Sequence, residues 1–246
     1  MIKNIYVFGA TSKIAEETIK HFAKDNANFY LVGRNKEKLE IVKNDLVARG
    51  AVSVNVEECD ALDFDQHKSS IYKAADTMGN IDLIYIAHGT LPNNEAIRNN
   101  PEKLLEEFNI NCNSTLSICS VASEYFESQG KGTLAVISSV AGERGRQSNF
   151  VYGAAKSAVT EYLSGLRNRL YKSGIKVITI KPGMVDTPMT SDMEKGLLFA
   201  NVSSVGKTIY NKIKNGNDVV YVPGYWKLIM GIIKSIPESI FKKLNI

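Results

Sequence analysis

Apolar strand-like runs and helical periods alternate along the whole of this chain of 246 residues. The runs are short and rich in β-branched residues, and between them apolar residues return at the spacing of a buried helix face. We predict strands at residues 5–8, 28–32, 52–57, 81–86, 134–140, 175–180 and 219–222. Because no repeat or linker interrupts this alternation, it predicts one doubly wound α/β domain.

The composition excludes several other classes of protein. Hydrophobic residues make up 44% and charged residues 23%, which is ordinary for a globular domain. A net charge of +4 is too small, and too dispersed, to predict a nucleic-acid surface. Cys59, Cys112 and Cys119 form no metal-binding pattern, so we expect no metal site and buried free thiols. The amino terminus resembles a strand rather than a signal peptide, and no run approaches ~18 apolar residues, which favours a cytoplasmic protein.

The stretch 136–156 carries the clearest chemical signal. Ser139 closes a predicted strand, a loop rich in Gly and Arg follows, and Tyr152 and Lys156 then share one face of a helix. An ammonium ~4 Å from a phenol is worth roughly 4 kcal/mol, which would lower the tyrosine pKa from ~10 by at most about 3 units. Tyr152 is therefore predicted to transfer protons near neutral pH. Tyr210 and Lys214 have the same spacing but lack a preceding strand that ends in Ser, and we interpret them as a solvated face.

Ser139, Tyr152 and Lys156 together resemble the catalytic set of the short-chain dehydrogenase/reductase family, and residues 182–187 resemble its PGxVxT element. This resemblance covers nearly the whole chain. It implies a Rossmann-like doubly wound parallel sheet of about seven strands with helices on both faces, as a single NAD(P)-binding domain over residues 1–246. It also implies that an oxidoreductase reduces a keto group to an alcohol, reversibly in principle. Ser139 would hold the substrate oxygen, Tyr152 would supply the proton, and Lys156 would lower the tyrosine pKa and bind the nicotinamide ribose.

Asn111 resembles the family residue that relays protons to Lys156, although Asn109 and Asn113 compete for that role. It precedes a helical apolar series, which favours it over its neighbours.

The first turn has the strand–glycine–helix context of a dinucleotide-binding site. Lys13 and Ala15 replace the family's second and third glycines, and the Lys13 ammonium is a candidate phosphate ligand. Asp60 resembles the family residue that contacts adenine, the alternative being an N-cap of the next helix. The resemblance implies cofactor contacts from Gly9, Thr11, Ser12, Lys13, Ile14, Arg34, Asp60, Ala87, Gly89, Tyr152, Lys156, Pro182, Gly183, Val185 and Thr187.

The end of the second strand indicates which cofactor is used. Gly33 occupies the position of the acidic residue that NAD-preferring members use, and Arg34 follows it directly. A guanidinium suits a 2′-phosphate, so we predict NADP(H), the alternative being that Arg34 faces solvent. The family's Asn-Asn-Ala-Gly is changed at residues 86–88, and we expect a structural role for His88.

Two segments concern the substrate and partners. Residues 190–205 have no strong periodicity and are expected to form a substrate lid. The tail 225–246 is apolar and basic, contains Trp226, and is divided by Pro237. It fits either a peripheral contact with the inner membrane face or a cover for the core or a subunit contact. A loose similarity to reductases of keto-sugars on polyprenyl phosphates adds a lipid-linked ketone to the candidate substrates. The family resemblance also implies a homodimer or homotetramer through helices near 104–126 and 152–170.

Two rival functions stay open at this point. A non-catalytic NADP-binding sensor or scaffold fits the altered glycine turn, but the complete Ser139, Tyr152 and Lys156 set argues against it. Sugar-nucleotide epimerases and dehydratases share the Tyr-x-x-x-Lys spacing, but they are usually longer and carry a separate carboxyl-terminal substrate domain.

Overall fold

A computed structural model describes residues 2–245 of the protein. Within them, seven strands form one sheet in the order β3-β2-β1-β4-β5-β6-β7, and all neighbouring strands are parallel. The strands are β1 (Asn4–Phe8), β2 (Asn28–Gly33), β3 (Ser53–Glu58), β4 (Leu83–Ile86), β5 (Thr133–Ile137), β6 (Lys176–Pro182) and β7 (Val219–Val222). The predicted Rossmann-like fold class is confirmed.

Helices cover both faces of this sheet. They are α1 (Lys13–Lys24), α2 (Lys36–Ala48), α3 (Gln66–Met78), α4 (Asn94–Ile97), α5 (Pro101–Phe108), α6 (Ser114–Gln129), α7 (Phe150–Leu170), α8 (Val202–Asn215), α9 (Trp226–Ser235) and α10 (Glu238–Phe241). Successive strand residues point to opposite faces. In β1, Ile5 and Val7 join the core under α1, α2 and α8, whereas Tyr6 and Phe8 join the core under α3, α6 and α7. The near-continuous apolar strands are those of a sheet buried on both sides.

Several element boundaries near the carboxyl edge of the sheet differ from the prediction, and three of them concern the segments around the site. β5 ends at Ile137 rather than residue 140, because the Ser139 hydroxyl accepts the Ala141 N–H (3.1 Å) and starts a 3₁₀ turn at Val140–Glu143. α7 begins at Phe150, two residues before the predicted start. α8 begins at Val202 rather than 205, since Asn201 caps it by accepting the N–H groups of Ser203 and Ser204. The predicted lid of residues 190–205 therefore loses its last residues to α8.

The carboxyl-terminal tail packs onto the domain as two short helices, divided at Pro237 as predicted. Trp226 and Met230 on α9 are buried against Val140. Trp226 lies so close to Gly183 that a Cβ on this glycine would come within 1.9 Å of the indole Nε1. Trp226 is therefore a core residue, and the membrane interpretation of the tail loses its aromatic anchor.

The tail is also held at its far end. The Arg144 guanidinium donates to the backbone oxygens of Ile233 (3.0 Å) and Ile236 (2.6 Å) and to the Glu238 carboxylate (2.8 Å). Loose carbonyls at a helix carboxyl terminus need such donors. This contact ties the tail to the loop between β5 and α7. Over the described part of the chain, none of the helices has the length and apolar character needed to cross a membrane.

Candidate active site

A cleft of about 930 Å³ opens at the carboxyl edge of the sheet. Open parallel sheets bind ligands at this edge. The predicted cofactor residues that line it are Gly9, Thr11, Ser12, Lys13, Ile14, Arg34, Asp60, Gly89 and Thr187. The structure thus brings together residues from both ends of the sequence. The other predicted residues, Ala87, Asn111, Ser139, Tyr152, Lys156, Pro182, Gly183 and Val185, are not among those that line this cleft.

The turn between β1 and α1 forms one end of the cleft. Gly9 has a left-handed φ of 81°, and a Cβ on it would lie 2.4 Å from the backbone nitrogen of His88. Only glycine allows this turn to approach β4 so closely. α1 starts at Lys13, and the Ser12 side chain makes no capping bond to it. The first N–H groups of a helix lack intrahelical acceptors and attract anions, so this end of the cleft suits a pyrophosphate.

Lys13 itself is already paired. Its ammonium lies 2.7 Å from the Glu16 carboxylate and 3.7 Å from that of Glu17. The hydrogen bond to Glu16 raises the pKa of Lys13, so the side chain is charged but not free. A phosphate contact from Lys13 would have to exchange this pair for the phosphate.

Arg34 follows β2 and Asp60 follows β3, and both line the same cleft. Arg34 is exposed, and within residues 2–245 its side chain has no hydrogen bond or ion pair, so it is available to a ligand. Asp60 accepts the N–H of Leu62 (2.8 Å), whereas α3 begins only at Gln66. The alternative role of Asp60 as the N-cap of the next helix is therefore wrong.

Ser139, Tyr152 and Lys156 come together where β5 meets α7. The Ser138 hydroxyl anchors the junction, because it donates to the Lys156 backbone oxygen (3.0 Å) and contacts the Thr160 hydroxyl (2.7 Å). The Lys156 ammonium lies 5.7 Å from the centre of the Tyr152 ring and donates to the Ile137 backbone oxygen (3.4 Å). One strand end and one helix face therefore place a hydroxyl, a phenol and an ammonium side by side.

The proton affinities of this group differ from the prediction. Burial raises the pKa of Tyr152 to about 12, against a smaller lowering by the Ser139 hydroxyl. Burial also lowers the pKa of Lys156 to about 8, because its ammonium has no carboxylate beside it. The expected lowering of the Tyr152 pKa by Lys156 is thus absent from this structure, and Tyr152 is a protonated donor throughout the neutral range.

Asn111 is buried beside this group, in a π-helical turn (Asn109–Asn113) between α5 and α6. Its amide donates to the Thr90 hydroxyl (2.8 Å) and accepts the Thr90 N–H (3.1 Å). A Cβ on neighbouring Gly89 would lie 2.9 Å from the Asn111 amide oxygen and 3.4 Å from Lys156 Nζ.

The competing asparagines, Asn109 and Asn113, bond to each other at the exposed side of the turn (2.7 Å). Asn111 alone among the three is buried near Lys156, which supports its assignment.

Glu107 and Thr90 belong to this network, although the sequence analysis did not identify them. The Thr90 hydroxyl donates to the Glu107 carboxylate, and the Asn111 amide lies 3.3 Å from the same carboxylate. Glu107 precedes Asn111 by four residues, and this spacing is the signal that could have found it.

His88 has the structural role that the sequence analysis favoured. Its Nε2 is bonded to the Ser114 hydroxyl (2.7 Å), and its ring packs edge-on against Phe8. Burial, followed by the nearby Lys156 charge, lowers the pKa of His88 to about 3. The imidazole is therefore neutral at ordinary pH and cannot supply a proton there.

The PGxVxT element leaves the sheet at the end of β6. Val185 is buried and forms a bridge to Ala200, and the Thr190 hydroxyl donates to the Val185 backbone oxygen (2.8 Å). Thr187 lines the cleft, whereas Gly183 packs against Trp226 and Pro182 pairs with Val222 at the end of β6. Ala87 is buried and continues the pairing of β4 by donating to the Phe8 oxygen (2.8 Å). Residues 191–198 are exposed, and Ser191 and Lys195 among them line the cleft, while a lid over residues 190–205 stays a prediction.

Comparisons with known proteins agree with this geometry. The family model described as short chain dehydrogenase matches residues 3–197. An uncharacterized oxidoreductase of Streptomyces coelicolor is 28% identical over 98% of this chain and 96% of its own length. An uncharacterized oxidoreductase of Staphylococcus epidermidis is 32% identical over 77% of this chain and 81% of its own length.

Solved structures with this fold have lower sequence identity. An actinorhodin polyketide ketoreductase variant with NADPH has a TM-score of 0.81 at 19% identity, over 91% of this chain and 97% of that one. A short-chain type dehydrogenase/reductase from Mycobacterium ulcerans has a TM-score of 0.79 at 19% identity, over 98% of both chains. These likenesses support the fold, while the family model covers most of the chain. The protein therefore belongs to the short chain dehydrogenase family of oxidoreductases.

Proposed function

We propose that the protein reduces a keto group to an alcohol with NADPH. The observation that carries this proposal is the junction of Ser139, Tyr152 and Lys156, where the Lys156 ammonium lies beside Gly89 in the wall of a cleft that also contains the free amino terminus of α1. NADPH, when bound, supplies the hydride. The α1 amino terminus and Arg34 would hold its phosphates, and Val185 and Thr187 would hold its carboxamide.

The side chains of this protein supply the proton and the polarity. The Ser139 hydroxyl donates a hydrogen bond to the substrate carbonyl oxygen. This bond makes the carbonyl carbon more electrophilic and so a better acceptor of hydride. Tyr152, kept protonated by its raised pKa, donates the proton to that oxygen as negative charge develops. Lys156 in its ammonium form stabilises the Tyr152 phenolate that remains. Asn111 relays protons to Lys156, so that the Tyr152 hydroxyl is restored.

The first test is NADPH oxidation, followed at 340 nm against keto-sugars, quinones, acyl ketones and lipid-linked ketoses. We expect turnover on one class. Tight NADPH binding with no turnover on any class, with or without added membranes, would favour the non-catalytic sensor instead.

Arg34 gives a separate test of the cofactor preference. Replacement of Arg34 by Asp should raise the KM for NADPH about tenfold, since a guanidinium–phosphate contact becomes a repulsion. The KM for NADH should change much less. Equal changes in both values would contradict the assignment of Arg34 to the 2′-phosphate.

The outer face of α9 favours a second, finer proposal, that the enzyme meets a lipid-linked ketone at an anionic membrane surface. Leu228 is 71% and Ile232 58% exposed, and Lys227 and Lys234 lie on the same helix. Apolar residues flanked by lysines suit such a surface. The protein should sediment with phosphatidylglycerol vesicles but not with phosphatidylcholine vesicles, and Leu228→Glu with Ile232→Glu should abolish this. Failure of the unaltered protein to bind anionic vesicles would remove the proposal.

A homo-oligomer is the remaining proposal about partners. Leu105 on α5 is 61% exposed and Phe150 at the start of α7 is 43% exposed, in the helices that the family resemblance implies as subunit contacts. Light scattering should give a dimer or tetramer, and Leu105→Glu should shift it toward the monomer. A monomer at all concentrations would contradict this proposal.

A further inference from the structure

The loop between Ser139 and α7 contains an arginine that has no partner. Within residues 2–245, the Arg146 side chain forms neither a hydrogen bond nor an ion pair, and its Nε atom is buried without an acceptor. Burial lowers the pKa of this guanidinium, with no carboxylate close enough to oppose the effect. A guanidinium nevertheless stays charged at any ordinary pH. The loop therefore holds a partly buried cation that nothing neutralises.

Arg144, two residues earlier in the same loop, is a structural arginine whose guanidinium is paired within the chain. Its guanidinium is bonded to three backbone oxygens near the end of α9 and to Glu238, and it lies 3.7 Å over the Phe241 ring. Arg146 has the same side chain and lies in the same loop, but it has none of these contacts. Arg146 is half-buried, and of its nitrogens only Nε is buried without an acceptor, so the outer nitrogens of the guanidinium are available to an acceptor from outside the chain.

Other unpaired polar atoms surround Arg146. The Asn149 N–H donates to the Arg146 backbone oxygen (3.1 Å), and the Asn149 side-chain oxygen is buried without a donor. Asn94 donates to the backbone oxygen of Gln147 (3.2 Å), and its own side-chain oxygen is also buried without a donor. Amide groups can present either oxygen or nitrogen after a half-turn. The loop, together with Asn94 of α4, thus contributes one cation and two adaptable amides.

We propose that Arg146 is a specificity-determining residue that binds an anionic group, a carboxylate or a phosphate, on the ketone substrate. The loop that carries Arg146 joins Ser139 to the helix that carries Tyr152, so both ends of the loop lie at the proposed position of the substrate carbonyl. The planar fork of a guanidinium matches both anions with paired hydrogen bonds. This inference rests on the proposed reductase function and names the substrate class for it.

The test begins with thermal unfolding of the NADPH-bound protein, because this readout needs no turnover. Inorganic phosphate and acetate are the probes. The pH is kept neutral, and the ionic strength is kept constant with a chloride salt. We expect at least one of these anions to raise the midpoint temperature of thermal unfolding of the unaltered protein. The anion that raises it more is the preferred one. Arg146→Met should remove this rise without lowering the midpoint in the absence of the probe, since it deletes an unpaired buried charge. Arg98→Met, which removes an exposed arginine paired with Glu95, should keep the rise.

Kinetics then separate binding from catalysis. A keto acid should be reduced with a lower KM than its methyl ester, or a phosphorylated hydroxyketone with a lower KM than the same hydroxyketone without the phosphate. Arg146→Met should raise the KM of the anionic partner about tenfold or more and leave its neutral counterpart within about twofold. Arg146→Lys should recover only part of the loss, because an ammonium lacks the fork.

The outcomes distinguish this inference from the function on which it rests. Anion-dependent unfolding that is the same in Arg146→Met and the unaltered protein would overturn the role of Arg146 and leave the reductase proposal standing. An Arg146-dependent anion effect without turnover of any ketone would sink the reductase proposal while the anion site stands. A lower midpoint of Arg146→Met without any probe would show that the guanidinium is structural.

Discussion

The molecule contains two tyrosine–lysine pairs with identical spacing and opposite surroundings. Tyr152 and Lys156 lie on α7, and Tyr210 and Lys214 lie on α8. In the second pair, the lysine ammonium is 2.8 Å from the phenol oxygen, and both groups are bonded to the Asp25 carboxylate, at 2.9 and 2.7 Å. The pair is at the surface, and the bonds to Tyr210 and Asp25 raise the pKa of Lys214.

In the first pair, the Lys156 ammonium has no carboxylate partner within residues 2–245. Lys156 is 2% exposed, and the one acceptor of its ammonium within residues 2–245 is the Ile137 backbone oxygen. Burial without a carboxylate lowers its pKa, the opposite of the change at Lys214. Helical spacing thus determines only that two side chains meet. Their chemistry depends on whether other elements supply a counter-charge, and an ammonium left without one can act on a ligand.

The largest expected difference between the two pairs is in turnover. Tyr152→Phe should lower kcat about 10²–10⁴-fold, because it removes the proposed proton donor, while NADPH binding is retained. Tyr210→Phe is the matched control and should leave kcat within about twofold. Initial rates and NADPH fluorescence titrations measure both. Comparable kcat values for the two variants would mean that the phenol on α7 is not the donor.

The next effect concerns stability. Burial lowers the Lys156 pKa from 10.5 to about 8, so removal of its charge by Lys156→Met should increase the free energy of unfolding by up to roughly 3 kcal/mol at pH 7. The destabilisation by the buried Lys156 charge is complete below about pH 8. It decreases as the pH rises from 8 toward 10.5, because Lys156 loses its proton at a lower pH in the folded state than in the unfolded state. Urea unfolding at pH 7 and 10 tests this. Lys214→Met should show no such gain, and a large loss in Lys156→Met would contradict the idea of an uncompensated charge.

Most of the fold, and the grouping of the candidate catalytic residues, could be predicted from the sequence. Short apolar, β-branched runs predicted the seven strands, and their alternation with helical periods predicted the fold class. Ser139, Tyr152 and Lys156 were found because a single strand–loop–helix unit contains all three. The strand that ends in Ser139 distinguished Tyr152 and Lys156 from Tyr210 and Lys214, which have the same spacing but no such strand before them.

The missed features depend on contacts between distant segments. The pKa of Tyr152 was predicted to fall, but it rises because several elements bury the phenol, and four-residue spacing holds no information about them. Trp226 was interpreted in part as a membrane anchor, whereas it is buried against Gly183, 43 residues earlier in the chain. The Thr90–Glu107–Asn111 network likewise joins a loop after β4 to the junction of α5 and α6.

A smaller effect should appear in the pH dependence of cofactor binding. Lys156 is proposed to bind the nicotinamide ribose as an ammonium, and its pKa of about 8 means that this form is lost as the pH rises above that value. The affinity for NADPH should therefore fall by up to about tenfold per pH unit above pH 8. Lys156→Arg should flatten this limb, because a guanidinium keeps its charge. Lys214→Arg serves as the control, and persistence of the same limb in Lys156→Arg would assign it to another group.

The smallest effect lies at the surface pair and shows what the same spacing does when a carboxylate is present. The hydrogen bond from Tyr210, followed by that from Lys214, lowers the pKa of Asp25 below its ordinary value of 3.8. The stabilisation is therefore present above about pH 4 and is lost as the pH falls through the lowered pKa. Because the groups are partly exposed and screened by salt, Asp25→Asn should cost at most about 1 kcal/mol at pH 7 and leave turnover unchanged. Urea unfolding at pH 7 and pH 3 should show this difference become smaller at the lower pH. A difference that is undiminished at pH 3 would mean that Asp25 acts through packing, and the contrast between the two pairs would then rest on Lys156 alone.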